Sequence, residues 1–202
     1  MRRQGGAIEC RFAARTTLRS RFARFPRDDS RRPILPEPMR SLDIQILRLM
    51  RTRGHSAGLE RAMKRLGKLG NNGAIWVVLC LLVLAFTDSN GEAWIVCALL
   101  GPLAIALNYA VKLIVKRPRP VLGGLPPLGG APSSLSFPSA HATSSFAVAT
   151  AMTRIDPLGA LAFILAFALA LGRPYLGMHY PSDVLAGALL GVALGLIVPL
   201  SI

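Results

Sequence analysis

Long apolar runs alternate with short polar segments in the chain after residue 73. There are five such runs, at residues 74–86, 94–115, 140–152, 158–171 and 184–200. A bilayer core of about 30 Å is crossed by about 20 helical residues, so the second and fifth runs are long enough to cross. The first run can be extended by the residues that precede it. The third and fourth runs border polar residues close to the headgroup layer. The pattern predicts an all-α protein, a polytopic membrane helical bundle with about five transmembrane helices.

A different pattern precedes these runs. In residues 41–69, apolar positions recur every three or four residues among arginines and lysines, and Gly54 divides the segment into two helices. Such helices either lie on an anionic membrane surface, where each nearby basic residue contributes about 1 kcal/mol, or pack on protein as ordinary amphipathic helices. Both alternatives are open. We place N-terminal amphipathic surface helices at residues 39–70 and the transmembrane domain at residues 71–202.

Charge and hydropathy are segregated along the chain. The 202 residues combine 52% hydrophobic residues with a formal charge of +14, and residues 1–38 hold ten arginines and no lysine. The lack of an apolar period there predicts a disordered basic tail, solvated or bound to anionic lipid, with no nucleic-acid partner. No apolar core of a secretory signal precedes residue 74. Because the ordered pattern begins at Met39, that residue is a candidate natural start.

Glycine and cysteine positions add two expectations. Gly187, Gly191 and Gly195 recur every four residues in the fifth run, which favours close helix packing either within the monomer or in a homo-oligomer. The cysteines have no paired spacing, so the sequence predicts neither a disulfide framework nor a zinc site. They are Cys10, Cys80 and Cys97.

Polar and charged side chains cluster at the ends of the apolar runs. Ionisable groups beside hydrocarbon are costly to hold, so they indicate a functional site. His179 and Asp183 are four residues apart, and a helix that begins near Pro181 lets the carboxylate reach back to the imidazole. A carboxylate on one ring nitrogen fixes the tautomer and leaves the other nitrogen free to attack or to accept a proton. The clustered residues are Lys112 and Arg119 after the second run, Ser139, Ala140 and His141 opening the third, and Arg173, His179 and Asp183 before the fifth.

Three motifs run through this set in order: Lys-x6-Arg-Pro, Pro-Ser-x-His and Arg-x5-His-x3-Asp. Together they resemble the three-part signature of the type-2 phosphatidic acid phosphatase family, whose soluble relatives include vanadium haloperoxidases. The resemblance extends from about residue 74 to the end of the chain. It implies an integral-membrane lipid phosphatase that hydrolyses a phosphate ester through a phosphohistidine and needs no metal or other cofactor.

The resemblance also implies a role for each motif residue. His179 is expected to be the nucleophile, Asp183 to orient it, and His141 to protonate the leaving oxygen. The remaining motif residues would hold the phosphoryl oxygens through their cationic groups, hydroxyl and backbone N–H groups. They are Lys112, Arg119, Ser139, Ala140 and Arg173.

Two positions depart from the family pattern. Gly172 stands where a serine is common before the arginine, and Ala140 where the second motif often has glycine. We expect these changes to affect phosphate binding, rate or substrate choice while the reaction type survives. Lys116 and Arg117 fall outside the signature, and we interpret them as snorkelling membrane anchors. His55 is given no role.

An active site at a membrane surface predicts a lipid phosphate as substrate. The chain is similar in general character to actinobacterial family members that remove the 5-phosphate from decaprenylphosphoryl phosphoribose, and this similarity favours that lipid as the substrate. The alternatives are a polyprenyl diphosphate, phosphatidic acid or phosphatidylglycerophosphate phosphatase and, in another class, a scaffold that binds anionic lipid without turnover. The glycine- and proline-rich loop at residues 120–137 joins the first two motifs and is either a gate for substrate or a passive connector.

Charges predict which side of the bacterial plasma membrane the site faces. All three motifs fall on one side, two spans away from the basic N-terminus and thus on the same side as it. The short loops on the opposite side carry three acids against Arg154. By the positive-inside rule, the site faces the cytoplasm. The acids are Asp88, Glu92 and Asp156.

Overall fold

A computed structural model describes residues 36–129 and 134–201. Within these ranges the chain forms seven α-helices and no β-sheet, which confirms the all-α prediction. The helices are α1 Glu37–Thr52, α2 Ala57–Leu69, α3 Ala74–Ala85, α4 Gly91–Val115, α5 Ala140–Ile155, α6 Ala162–Tyr175 and α7 Pro181–Ile197. Short 3₁₀ turns, Asn71–Gly73 and Pro157–Leu161, lead into α3 and α6. Residues 1–35 of the tail predicted as disordered, which include Cys10, lie outside the described residues. Cys80 and Cys97 are free thiols.

Two helical segments are long and apolar enough to cross a membrane, Gly91–Val115 and Pro157–Tyr175. A third candidate is the pair formed by Ala57–Leu69 and Asn71–Ala85, which is bent by 56° at a short break. Helices α5 and α7 have 16 and 17 residues, fewer than the about 20 that a bilayer core needs. The described part of the chain therefore has two or three candidate spans, against about five predicted.

Helix α5 is the centre of the bundle. It packs against α4, α6 and α7 and is buried over most of its length. Two polar side chains on α5 form hydrogen bonds with neighbouring helices. Trp76 Nε1 of α3 donates to Ser145 Oγ at 3.0 Å, and Asn108 Nδ2 of α4 donates to Thr143 Oγ1 at 2.8 Å. Because such bonds replace unsatisfied groups in an apolar surrounding, they hold the start of α5, and with it the second motif, in a defined register.

The glycine stripe of α7 lies against the backbone of α5. A Cβ atom at Gly191 would be 2.4 Å from Thr143 O, and one at Gly195 would be 2.5 Å from Ala147 O, so only glycine allows this approach. The contact brings the start of α7 next to the start of α5. Packing within the monomer is therefore confirmed. The alternative of a homo-oligomer through this stripe is wrong, because its glycines are already buried.

Helix α1 packs on the protein with a largely polar face. Asp43, Leu47 and Arg51, spaced four residues apart, are 4%, 0% and 6% exposed. Leucines and an isoleucine on its other side stay exposed, including Leu42 at 56%. Of the two alternatives for this segment, contact with protein is confirmed for α1. Because its outward side is apolar, the placement of α1 at the membrane interface stays a prediction.

Candidate active site

The third motif is built around the start of α7. Pro181 occupies the first turn, as the sequence predicts, and Asp183 Oδ2 accepts a hydrogen bond from the backbone N–H of Tyr180 at 2.9 Å. His179 lies just before the helix, with its Nδ1 3.6 Å from Asp183 Oδ2. The two side chains are 2% and 0% exposed. The structure thus brings carboxylate and imidazole together as expected, at a separation slightly longer than a hydrogen bond.

The protonation of His179 follows from its surroundings. Burial, helped by the charge of Arg119, lowers the pKa of His179 from its usual 6.5 to about 3, although Asp183 acts in the opposite direction. Arg119 Nη1 lies 3.1 Å from Nε2 of the ring. Because a guanidinium only donates, Nε2 is the unprotonated nitrogen and Nδ1, beside Asp183, carries the proton. This neutral tautomer is the one that a nucleophilic histidine needs.

The arginines of the motifs are held at the same place in different ways. Arg119 donates to Met178 O at 2.5 Å and to Ser134 O at 2.8 Å, which aims its guanidinium at His179. Arg173, in the last turn of α6, is 6% exposed, and its Nε has no partner in the described part of the chain. A buried donor without a partner is costly. Its position therefore suits a bound anion.

Lys112 differs from the arginines because its ammonium group is bonded to the protein. Its Nζ donates to Leu135 O and Pro138 O, both at 2.8 Å. A longer bond of 3.3 Å goes to Ser136 O. These bonds fix the segment that leads into the second motif and leave the positive charge at the site. Lys112 therefore positions this segment as well as contributing charge.

These groups surround a cavity of about 190 Å³. Three cations and two histidines face it, and no carboxylate lines it among the described residues, so it attracts anions. Its lining consists of Gly70, Asn71, Asn72, Ile105, Lys112, Arg119, Ser134, Ala140, His141, Arg173 and His179. Two predicted site residues, Ser139 and Asp183, stand behind this lining. They contact each other, because Ser139 N donates to Asp183 O at 2.9 Å.

His141 lies in the first turn of α5 and belongs to the same cavity. Its Nε2 is 3.0 Å from Gly67 O of α2. Because a carbonyl oxygen only accepts, Nε2 carries a proton in this arrangement. Helix α2 therefore orients the imidazole for which the family resemblance implies a proton-transfer role.

A family model described as the PAP2 superfamily matches residues 92–202, which include all three motifs. This chain belongs to the PAP2 superfamily. The decaprenylphosphoryl-5-phosphoribose phosphatase of Mycobacterium tuberculosis is 37% identical over 141 residues, which cover 70% of this chain and 79% of the relative. The enzyme of the same name from Mycolicibacterium smegmatis is 34% identical over 130 residues, covering 64% and 72%.

Two solved structures share the fold. The transmembrane PAP2 type phosphatidylglycerolphosphate phosphatase from Bacillus subtilis has a TM-score of 0.65 at 24% identity, over 81% of this chain and 86% of its own. Aquifex aeolicus LpxE has a TM-score of 0.62 at 25% identity, over 77% and 93%. The predicted family is therefore confirmed. The PAP2 chain is a multi-pass membrane lipid phosphatase, a phosphoric monoester hydrolase.

The prediction that Arg117 is a membrane anchor is wrong for this PAP2 site. Arg117 is buried, with 6% of the residue exposed. It donates to Asp183 Oδ1 at 2.6 Å and to Asp43 Oδ2 at 2.8 Å, and it lies 4.0 Å from the centre of the Tyr180 ring. Lys116 adopts a left-handed conformation, φ 52°, where the chain leaves α4, which turns Arg117 inward while Lys116 stays exposed. A sequence signal for this pairing was Asp43, one of two acids in a mainly basic amphipathic helix.

The loop at residues 120–137 contributes to the PAP2 site directly. Its last residues are described, although residues 130–133 are not. Ser134 holds Arg119, and the hydroxyl of Ser136 donates to Asp183 Oδ2. The end of the loop is therefore part of the site, which sequence reasoning missed because isolated serines carry no signal. Its role as a gate stays a prediction.

The two departures from the PAP2 motif occupy different positions. Ala140 lines the cavity, whereas Gly172 is buried beneath α2. A Cβ atom at Gly172 would lie 3.3 Å from Met63 Sδ, which is tighter than an ordinary contact, so a serine there would displace Met63. The missing side chain at Gly172 thus leaves room for α2 to approach α6 closely. The effects of both departures on phosphate binding stay predictions.

Proposed function

We propose that this PAP2 phosphatase removes a phosphomonoester from a polyprenyl-linked sugar phosphate through a phosphohistidine at His179, with decaprenylphosphoryl-5-phosphoribose as the favoured substrate. The observation that carries the proposal is a neutral imidazole facing a cavity whose charged lining, among the residues that the structure describes, is entirely cationic. Such a cavity binds the phosphate dianion and presents Nε2 to it. The similarity to two decaprenylphosphoryl-5-phosphoribose phosphatases supports the substrate.

The geometry supports a two-step reaction. First, Nε2 of His179 attacks phosphorus, and the bond from phosphorus to the leaving oxygen breaks as His141, held in its imidazolium form by the bound phosphate dianion, gives that oxygen its Nδ1 proton. The three motif cations stabilise the equatorial oxygens, and Asp183 stabilises the imidazolium that forms. Water then attacks the phosphohistidine and gives a proton to His141. Inorganic phosphate leaves, and both histidines return to their starting states.

The size of the cavity supports binding of a head group rather than a whole lipid. At about 190 Å³ it is smaller than the about 300–1,000 Å³ of pockets that enclose drug-sized ligands. The prenyl chain would therefore remain in the bilayer. Ile105 of α4 provides an apolar wall at the cavity, and the exposed Leu103 and Leu107 extend the apolar surface of this helix for the chain.

Two amide side chains support a sugar in the head group. Asn71 and Asn72 line the cavity, both are exposed, and no side-chain hydrogen bond engages them within the described part of the chain. Amides both donate to and accept from hydroxyl groups. They would therefore distinguish a phosphorylated pentose from a phosphate attached directly to a prenyl chain.

Replacement of Asn71 with alanine is expected to raise KM for a prenyl phosphoribose about 2–10-fold, which corresponds to one hydrogen bond. KM for a prenyl phosphate should stay nearly unchanged. Asn71 is a better target than Asn72, whose φ of 56° would strain an alanine. Steady-state kinetics in detergent measure the effect, with Gln45→Ala on the exposed surface of α1 as the matched control. Equal increases for both substrates would contradict sugar recognition.

The substrate class is tested by phosphate release from the purified protein in detergent, with a chelator present. The panel contains a prenyl phosphoribose, a polyprenyl phosphate, a polyprenyl diphosphate, phosphatidic acid and phosphatidylglycerophosphate. Fastest turnover of the prenyl phosphoribose is the expected result. A higher rate on the diphosphate or on either glycerolipid would assign one of the alternatives, and lipid binding without release would indicate a scaffold.

We further propose that α3 to α7, with their flanks, make five crossings and that the site faces the cytoplasm. The acidic connection from α3 to α4 supports this side, since it is opposite to the site and includes Asp88 in the loop and Glu92 in the first turn of α4. Single cysteines at Ser89 and at Gly123, both exposed, test it in a Cys10→Ser background. A membrane-impermeant maleimide should label Ser89→Cys in intact cells and Gly123→Cys only after lysis. The reverse pattern would place the site outside.

A further inference from the structure

A chain of buried charges connects the N-terminal helix to the active site. Arg117 lies between two carboxylates, with Asp183 Oδ1 at 2.6 Å and Asp43 Oδ2 at 2.8 Å. The three side chains are 6%, 0% and 4% exposed. Asp43 also accepts from Ser182 N at 2.9 Å and from the Ser182 hydroxyl. Asp43 of α1 therefore forms hydrogen bonds with both Arg117 and the first turn of α7, next to His179.

The charges of this cluster matter for His179. An arginine bound directly to Asp183 would by itself cancel the negative charge that the carboxylate presents to the imidazole. With Asp43 on the other side of the guanidinium, the three side chains together carry one net negative charge. Attack on phosphorus makes the ring of His179 positive, and Arg119 and Arg173 on its cavity side add to that charge. The net charge behind Asp183 is therefore what balances the imidazolium.

We propose that Asp43 is a positioning residue for the PAP2 reaction: it holds and neutralises Arg117, so that Asp183 keeps its negative charge for His179 during phosphoryl transfer. The inference rests on the proposed phosphohistidine at His179. It gives α1 a part in catalysis, although α1 precedes the region that the PAP2 family model matches. It also explains why an acid is buried on a mainly basic helix.

The first test is Asp43→Asn, which keeps the shape and the acceptor oxygen but removes the charge. We expect kcat for farnesylphosphoryl-5-phosphoribose in detergent to fall about tenfold or more. KM should change little, because Asp43 does not line the cavity. Glu60→Gln is the matched control: it neutralises a carboxylate on α2 that pairs with His55 and Lys64, away from Arg117. Its kcat should equal that of the wild type.

A second variant separates charge from structure. In Asp43→Asn/Arg117→Gln, one negative and one positive charge are removed together, so the net charge behind Asp183 is restored. We expect its kcat to exceed that of Asp43→Asn. A merely structural role predicts the opposite, because the double variant also loses the bonds of the guanidinium. If Asp43→Asn does not fold, the double variant carries the test alone, and a folded double variant with no turnover would overturn the proposal.

The remaining outcomes are distinguishable in the same assay. Wild-type kcat in folded Asp43→Asn, or a loss confined to thermal stability or KM, would overturn the role of Asp43. His179→Gln is included as a reference. If that variant retains turnover, the phosphohistidine itself fails, and the inference about Asp43 fails with it.

Discussion

Replacement of His179 with glutamine is expected to abolish phosphate release, with kcat lowered roughly 10⁴-fold or more. The amide of glutamine can keep the contact that Nε2 makes with Arg119, at 3.1 Å in the wild type, but it cannot attack phosphorus. Because burial holds the pKa of His179 near 3, the wild-type ring is neutral and competent at pH 7. The variant should bind substrate and leave it intact.

The chain has three histidines, so His141 and His55 can be replaced in the same way and compared with His179. His141→Gln should lower kcat by about 10²–10⁴-fold on lipid substrates and by less on 4-nitrophenyl phosphate, whose leaving group needs no proton. His55→Gln should retain wild-type kcat, because His55 stacks on Tyr175 at 4.1 Å outside the cavity. An acid-labile phosphoenzyme trapped from labelled substrate should appear in the wild type and be missing in His179→Gln. Its presence in that variant would move the nucleophile elsewhere.

Replacement of Arg117 with methionine is expected to lower the free energy of unfolding by about 3–5 kcal/mol. Methionine fills much of the volume of arginine but leaves the carboxylates of Asp43 and Asp183 buried without their cation. Each carboxylate keeps hydrogen bonds from serine and from a backbone N–H, yet neither bond supplies positive charge. The loss should therefore come from uncompensated charge rather than from a cavity.

Thermal or denaturant unfolding in detergent measures this effect, and the neighbouring residue supplies the control. Lys116→Met removes the same charge from an exposed position and should change stability by less than about 0.5 kcal/mol. Similar small changes in both variants would return Arg117 to the anchoring role that the sequence predicts. A loss in Arg117→Met alone would establish the buried ion pairs.

The part of the site that local geometry determines could be predicted from the sequence. A proline in the first turn of α7 fixes where the helix starts, so a histidine and an aspartate four residues apart must lie close. That His141, His179 and the cations share one cavity was instead implied by the family resemblance of the three motifs. Spacing and helix position alone were sufficient only for His179 and Asp183.

The Arg117–Asp43 pair could not be predicted, because it joins residues 74 positions apart. It depends on the left-handed turn at Lys116 and on which side of α1 faces inward. Periodicity showed that α1 has two faces but favoured no particular one for packing. The charged face packs inward because Arg117 and the start of α7 offer it partners. The number of crossings stays a prediction for a related reason: apolar runs do not show where helices end, and only two or three segments of the described chain are by themselves long and apolar enough to cross.

The small volume of the cavity, about 190 Å³, affects how the enzyme meets a lipid substrate. If only the head group enters, the lipid never leaves its leaflet, and encounters occur by lateral diffusion in two dimensions. The quantity that governs turnover is then the mole fraction of substrate within the membrane rather than its amount per volume of solution. Dilution of the substrate with inert lipid slows such an enzyme even when the bulk concentration is constant.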